Sequence, residues 1–167
     1  ALGEDSWREA SAERTFVLTA LQVVFDEVTS NFARIRSHRD YHLSVVRGER
    51  DPQGIQVGLL RNDAWDVAKS IGAPTHLAYE VTASAAAIHA LQSDHRAIVQ
   101  AYIQALFSHG LAIGDGEVLH TQGERYVIRD LSGIQEQLLQ AYERLTVAAV
   151  DHYDIDVEVW DICDSDD

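Results

Sequence analysis

Methionine is absent from this chain, and cysteine, lysine and proline are scarce. The 167 residues include no methionine, one cysteine (Cys163), one lysine and two prolines. A single cysteine excludes an intrachain disulfide. Because a newly translated chain begins with methionine, we expect a further segment upstream of Ala1, such as a signal peptide or a membrane anchor.

Long apolar runs and basic residues are also lacking. No stretch approaches the ~18–20 consecutive apolar residues of a membrane-spanning helix. The chain has 13 lysines and arginines but 27 aspartates and glutamates, which gives a formal net charge of −14. Such a charge repels phosphates and anionic lipids, so it argues against nucleic acid as a partner.

The acidic residues are concentrated at one end of the chain. Residues 151–167 contain eight acids and no lysine or arginine. The length is typical of one domain with a substantial core. We therefore predict a single helical domain over residues 1–150, followed by an acidic C-terminal segment at 151–167.

A long uninterrupted stretch predicts the first helix. Residues 7–46 contain no glycine or proline. Apolar residues recur there with alternating spacings of three and four, which is the heptad pattern of paired helices; they are Leu18, Leu21, Phe25, Val28, Phe32 and Ile35. A helix of about 40 residues is ~60 Å long. This length favours a coiled-coil pairing of the first helix with a second copy or another protein.

Glycine, proline and capping residues delimit the next elements. Residues 47–61 contain three glycines and Pro52, which predicts a loop. A short second helix follows, with Asn62 or Asp63 as its cap and Gly72 as its stop.

Two further helices are predicted before residue 110. The third spans about residues 77–92, and Ser93 or Asp94 caps a fourth that runs to about His109. The aromatic residues Trp65, Tyr79 and Tyr102 either line a ligand pocket among these helices or simply belong to the core.

The last third of the chain mixes helix and strand patterns. Two short segments within residues 117–128 flank a turn-like sequence, so this stretch favours a β-hairpin, with an irregular connection as the alternative. A capping box at Ser132 and Gln135 predicts a fifth helix to about Asp151. Acidic and apolar residues then alternate from Asp154 to Ile162, which is typical of a strand. The fold class is therefore mainly α: a bundle of four to five helices with one very long N-terminal helix.

Histidines provide the only candidates for a metal site. His38 and His42 are spaced i, i+4 on the first helix, so both rings lie on one side and can share a metal ion. His42 also continues the heptad stripe, where a polar residue can instead fix the register of a helix pairing. His38 and His42 are thus weak metal candidates beside a structural interpretation.

No motif predicts catalysis or a bound cofactor. A ferritin-like site requires Glu-x-x-His on two helices, and only Glu117 and His120 match that spacing. The sequence has no nucleophile elbow, no phosphate-binding loop with its lysine and no paired cysteines. We predict no catalytic residues and no cofactor.

Several segments resemble a group of small, largely uncharacterised bacterial membrane proteins. The segment Trp7-Arg8-Glu9 is similar to the group's junction between a transmembrane helix and a long heptad helix. Residues 63–68 and 138–142 resemble its short second helix and a later helix. The resemblance covers about residues 5–145 and implies an anchor upstream of Ala1, with the domain on an unknown side of a bacterial inner membrane, in the periplasm or the cytoplasm. It transfers no catalytic residues.

The leading functional hypothesis is a non-enzymatic, membrane-tethered helical module for interaction or sensing. A protein partner or a second copy is expected along the first helix. The alternatives are a metal- or cofactor-binding helical enzyme that uses His38 and His42, and a soluble sensor of small ligands.

Overall fold

The computed structural model describes residues 2–55, 58–108 and 116–155, with side chains described for 5–55, 58–105 and 122–155. Within these residues the chain is helical and contains no strand, which confirms the mainly α fold. Four α-helices are described: α1 (Leu2–Val46), α2 (Ala64–Ser70), α3 (Tyr79–Ser108) and α4 (Gly116–Tyr153), with a short 3-10 turn at Ala73–Thr75 between α2 and α3.

Helix α1 confirms the very long N-terminal helix. Its 45 residues correspond to a length of about 67 Å. One face is buried at spacings of four and three; it includes Val17, Leu21, Val24, Val28, Asn31, Ile35, His42 and Val45. The predicted positions Leu18, Phe25 and Phe32 lie beside this face and are half-buried. The heptad face of α1 is therefore buried within its own chain. At alternate positions, the buried residue lies one place before the predicted one: Val17, Val24 and Asn31 instead of Leu18, Phe25 and Phe32.

The chain divides into two compact units, of which unit 1 contains three separate stretches and unit 2 contains two. Unit 1 comprises Ala1–Thr29, Asn62–His89 and Gln140–Asp167, whereas unit 2 comprises Ser30–Arg61 and Ala90–Leu139. Helices α1, α3 and α4 each contribute one part to each unit.

Unit 1 has a core of small and aliphatic side chains with two buried aromatic residues, Trp65 of α2 and Tyr142 of α4. Trp65 is buried, and the alanines before and after it, Ala64 and Ala68, are also buried. Small residues allow helices to approach closely, so that dispersion contacts are dense. Helix α2 ends as predicted, since Gly72 adopts the left-handed conformation with φ of 77° just beyond it.

Unit 2 has a core with a high polar content. Of the seven buried polar or charged residues that are described, six belong to unit 2; they are Asn31, His42, Gln92, His95, Glu124 and Gln135. Apolar contacts also stabilise this unit, among them a cluster of Tyr41, Val45 and Ile128 against which Ile55 of the loop packs.

The predicted break at Ser93 and Asp94 is wrong. Helix α3 continues through both residues from Tyr79 to Ser108. Its buried face keeps the four-and-three spacing across the supposed break, so an interruption would expose apolar surface; that face includes Val81, Ala85, Ile88, Gln92, His95 and Val99.

The predicted hairpin at residues 117–128 is also wrong, because α4 begins at Gly116 and runs through them to Tyr153. The two alternating segments are only four residues long, too short to distinguish a period of two from a helical period. Ser132, predicted to start the fifth helix, lies within α4.

Two predictions fall on parts of the chain that the structure does not describe. The predicted strand extends beyond Ile155, the last described residue, and the predicted anchor concerns a segment upstream of Ala1. Among the described helices, none is both long enough and apolar enough to cross a membrane.

Candidate functional site

A cluster of buried polar side chains in unit 2 forms the first part of the candidate site. We define the polar cluster as His42, Gln92, His95 and Gln135, each at most 3% exposed. His42 from α1 and Gln135 from α4 meet through a contact of 3.0 Å between His42 Nδ1 and Gln135 Oε1. Because the amide oxygen can only accept, His42 Nδ1 is the donor and carries the proton.

His95 is the least satisfied member of the polar cluster. It is 1% exposed, and neither of its ring nitrogens has a hydrogen-bond partner among the described residues. Burial lowers the pKa of His95 to about 4, and the positive charge that the His42 ring can carry acts in the same direction. His95 is therefore neutral at pH 7, with one donor and one acceptor unused.

A groove in unit 2 forms the second part of the candidate site. It has a volume of about 320 Å³ and lies between the end of α1 and the middle of α4. Its lining residues are Arg39, Leu43 and Val46 from α1, and Arg129, Ser132, Gly133, Gln135 and Glu136 from α4. Gln135 therefore belongs both to the groove and to the polar cluster.

Ion pairs at the groove are exposed and weak. Arg39 Nη2 lies 3.4 Å from Glu136 Oε2, and both side chains are about half-exposed. Arg129 lies over the ring of Tyr126 at 5.2 Å, and its Nε is 3.6 Å from Asp130 Oδ1. Exposed pairs of this kind contribute at most about 1 kcal/mol, so both arginines can exchange their present partners for a ligand.

The long loop after α1 is fixed to the same unit by polar side chains. Asn31 makes two hydrogen bonds of 2.8 Å with the backbone of Arg61, donating to its carbonyl and accepting from its N–H. The Tyr41 hydroxyl accepts from Gln53 N at 2.8 Å and donates to Gly54 O at 2.6 Å. These contacts hold the loop against α1, the helix that also supplies one wall of the groove.

A buried acid and a tyrosine form another polar contact in unit 2. The Tyr102 hydroxyl donates to Glu124 Oε1 at 2.8 Å, and Glu124 is buried. Burial, followed by this hydrogen bond and the negative charge of Glu124, raises the pKa of Tyr102. Tyr102 thus remains a protonated donor to Glu124 at all ordinary pH values.

The two predicted metal candidates lie near one another. The ring centroids of His38 and His42 are 6.4 Å apart, as expected for an i, i+4 pair. Among the described residues, no group of three or more His, Cys, Asp or Glu side chains is placed to hold a metal ion. Binding of a metal by His38 and His42 stays a prediction.

The three aromatic residues considered for a pocket occupy different environments. Trp65 is buried in the core of unit 1, and Tyr102 is bonded to Glu124 in unit 2. Tyr79 is 81% exposed at the start of α3. Trp65 therefore fits the interpretation as a core residue rather than as part of a ligand pocket. Tyr79 is too exposed to line an interior pocket.

The sequence analysis identifies His42 but not the other members of the polar cluster. Gln92 and His95 lie on the heptad stripe of α3, which could have been recognised once the helix was treated as continuous. Gln135 follows Ser132 at the spacing of a capping box, but in the structure it bonds to His42 instead. No local pattern predicts that contact, because the two residues are 93 positions apart.

Comparison with known proteins gives no relative for this chain. No protein-family model, no curated protein and no solved structure matches it. The resemblance to bacterial membrane-anchored proteins therefore stays a prediction, and the function has to be inferred from the site itself.

Proposed function

We propose that this chain is a non-enzymatic helical module for interaction or sensing, and that the polar cluster of unit 2 is its responsive element. The observation that carries the proposal is His95, a buried imidazole with neither ring nitrogen hydrogen-bonded among the described residues. An unsatisfied buried polar group costs about 1–3 kcal/mol. Folding does not require such a residue.

A costly polar cluster suits a module that changes conformation. Switchable bundles need two arrangements that differ by only a few kcal/mol, and a buried histidine provides that bias. The six buried polar residues of unit 2 reduce the gain from its apolar contacts. Unit 2 is therefore the unit in which a ligand or partner can shift an equilibrium.

The experiment replaces His95 with an apolar residue of similar size. We expect His95→Leu to raise the free energy of unfolding by about 1–2 kcal/mol at pH 7, since it removes the unsatisfied group. We also expect it to slow amide hydrogen exchange in residues 90–105 and 122–139. His95→Gln retains the polarity and serves as the matched control. Destabilisation by His95→Leu would show that His95 supports the fold, and the proposal would then lose its basis.

The interaction side of the proposal concerns the first turns of α1. Residues 5–15 are exposed on every side, and Trp7 among them is 72% exposed. Glu13 Oε1 lies 3.1 Å from His76 Nδ1, and both side chains of this contact are largely exposed. A stretch of helix that buries no side chain is only marginally stable in water. A protein partner or a second copy along these turns would stabilise them.

Two further proposals have direct tests. The membrane tether requires about 20 apolar residues upstream of Ala1, so the native coding sequence decides it. A metal- or cofactor-binding enzyme that uses His38 and His42 is the alternative function. Elemental analysis of protein purified without a histidine tag would reveal stoichiometric metal in that case, and melting would then respond to a chelator.

A further inference from the structure

The groove of unit 2 combines apolar walls with positive charge. Leu43 and Val46 of α1 provide apolar surface, and Val46 is 46% exposed. On α4, a Cβ added to Gly133 would meet no atom within 4 Å, so there is open space at that point. At about 320 Å³, the groove is within the range of small-molecule sites.

The charge in the groove is unusual for this molecule. The whole chain has only 13 lysines and arginines against 27 acids, yet Arg39 and Arg129 both line the groove. Glu136 is the one acid in the lining, and its contact with Arg39 at 3.4 Å is long for a hydrogen bond. An incoming anion can therefore compete for Arg39.

We propose that this groove binds a small amphipathic carboxylate, with its carboxylate at Arg39 and Arg129 and its hydrocarbon chain against Leu43 and Val46. Arginine binds a carboxylate through two parallel hydrogen bonds, which gives both strength and orientation. The apolar walls add the burial of a short chain. The inference rests on the proposed sensing function and names the class of ligand that would be sensed.

Gln135 connects this groove to the polar cluster. It lines the groove, and its Oε1 accepts the hydrogen bond from His42 Nδ1. A ligand that displaces the Gln135 side chain changes the hydrogen bonding of His42, so occupancy of the groove is communicated to the buried cluster. This contact provides the physical link between binding and response.

The test is a titration with hexanoate, followed by backbone amide NMR shifts. We expect saturable shifts of groove residues with a dissociation constant in the millimolar range, as suits a ligand with few atoms. Hexanamide, which has the same shape without the charge, should bind at least about 10-fold more weakly because the charge-assisted hydrogen bonds are lost.

Variants assign the binding to the groove. Arg39→Gln should weaken hexanoate about 10-fold, the loss expected for one charge-assisted bond. Gly133→Leu fills the open space and should abolish binding, while leucine favours the helix and so preserves the fold. Arg144→Gln changes an exposed arginine of α4 outside the groove and should have no effect.

The inference is overturned by the absence of a saturable shift, by equal binding of hexanamide, or by hexanoate binding that Gly133→Leu leaves unchanged. Light scattering of the same samples shows whether the groove instead binds a helix of a second copy. In that case Gly133→Leu would change the oligomeric mass of the protein, and hexanoate would not bind. That result would also overturn it. The His95→Leu measurement is independent, so the sensing proposal can stand when the carboxylate inference fails.

Discussion

Burial shifts the pKa of two individual residues of this molecule, His95 and Glu27. His95 has a depressed pKa because burial disfavours its charged form. Glu27 in unit 1 has a pKa above its ordinary value for the same reason, although two backbone N–H donors partly offset the effect of burial. Both shifts favour the neutral form of the side chain. As the pH falls, the shift of His95 lowers the free energy of unfolding, whereas the shift of Glu27 raises it.

The first prediction concerns His95 and pH. Its pKa is 6.5 when unfolded and about 4 when folded, so the unfolded state binds the extra proton between these values. Relative to its value above pH 6.5, the free energy of unfolding therefore falls as the pH falls towards 4. The loss amounts to about 3 kcal/mol. Urea denaturation of the wild type and of His95→Leu at several pH values isolates the contribution as a difference.

That difference removes the effects of the many acids, including Glu27. Protonation of Glu27 favours the folded state as the pH falls, because its folded pKa is the higher one. It contributes equally to both proteins and cancels. A constant difference between wild type and His95→Leu from pH 7 to pH 4 would contradict the assignment of a depressed pKa to His95.

The second prediction concerns the cap of α2. Asp63 occupies the cap position without a side-chain cap bond. Glu27 of α1 performs this role, since its Oε2 accepts from Asp63 N and Ala64 N at 2.8 Å each. Glu27→Ala should lower the free energy of unfolding by about 1–3 kcal/mol, because two buried N–H groups lose their acceptor.

Two variants provide the comparison by chemical denaturation. Glu27→Gln keeps an acceptor oxygen and removes the buried charge, so it should stay within about 1 kcal/mol of the wild type. Asp26→Ala changes the exposed neighbour and should have an equally small effect. If Glu27→Ala were no more harmful than Asp26→Ala, the cap assignment would be wrong.

At the scale of the elements, continuity of the helices is the main departure from expectation. Ser93 and Asp94 are good capping residues, yet α3 passes through them because its buried face continues at the same spacing. In α4, Gly123 does not end the helix, because the residues after it carry a regular buried face that starts at Glu124. Burial of a continuous face outweighs the local preference of single residues.

The third prediction distinguishes one helix from two. Asp94→Pro removes the N–H of residue 94 and clashes with the carbonyl of Ala90, which should cost about 3 kcal/mol or more within a helix. If Ser93 were a helix cap, proline at residue 94 would occupy the first helical position and be tolerated. Thermal unfolding followed by circular dichroism measures the effect, with Asp94→Ala as the control for loss of the side chain.

At the scale of the whole molecule, polar and apolar burial are divided between the two units. Unit 1 has a mainly aliphatic core that also contains Trp65 and Tyr142, with Glu27 as its one buried charge among the described residues. Unit 2 contains the polar cluster, the Tyr102–Glu124 contact and the groove. The division assigns packing stability mainly to unit 1 and the candidate site to unit 2.

The fourth prediction concerns association through α1. The heptad stripe of this helix is buried within its own chain, so association has to use other surface, and the exposed turns at residues 5–15 provide it. We expect multi-angle light scattering at high concentration to show a dimer, and Trp7→Ala to shift it towards the monomer. Added salt should favour the dimer, since it screens the repulsion between chains of net charge −14. A strictly monomeric protein under all these conditions would rule out self-association.

The amino-acid sequence by itself determined the helical class, the long first helix and the short second helix. Each depends on neighbouring residues: the absence of glycine and proline from residues 7–46, and the left-handed glycine at the end of α2. Only the tertiary structure decided which polar residues are buried together. Glu27 caps a helix 36 residues away, and His42 meets Gln135 across 93 residues. Such contacts form because packed helices exclude water, so that a buried polar group gains most from a partner within the protein, and no local spacing reveals which partner that is.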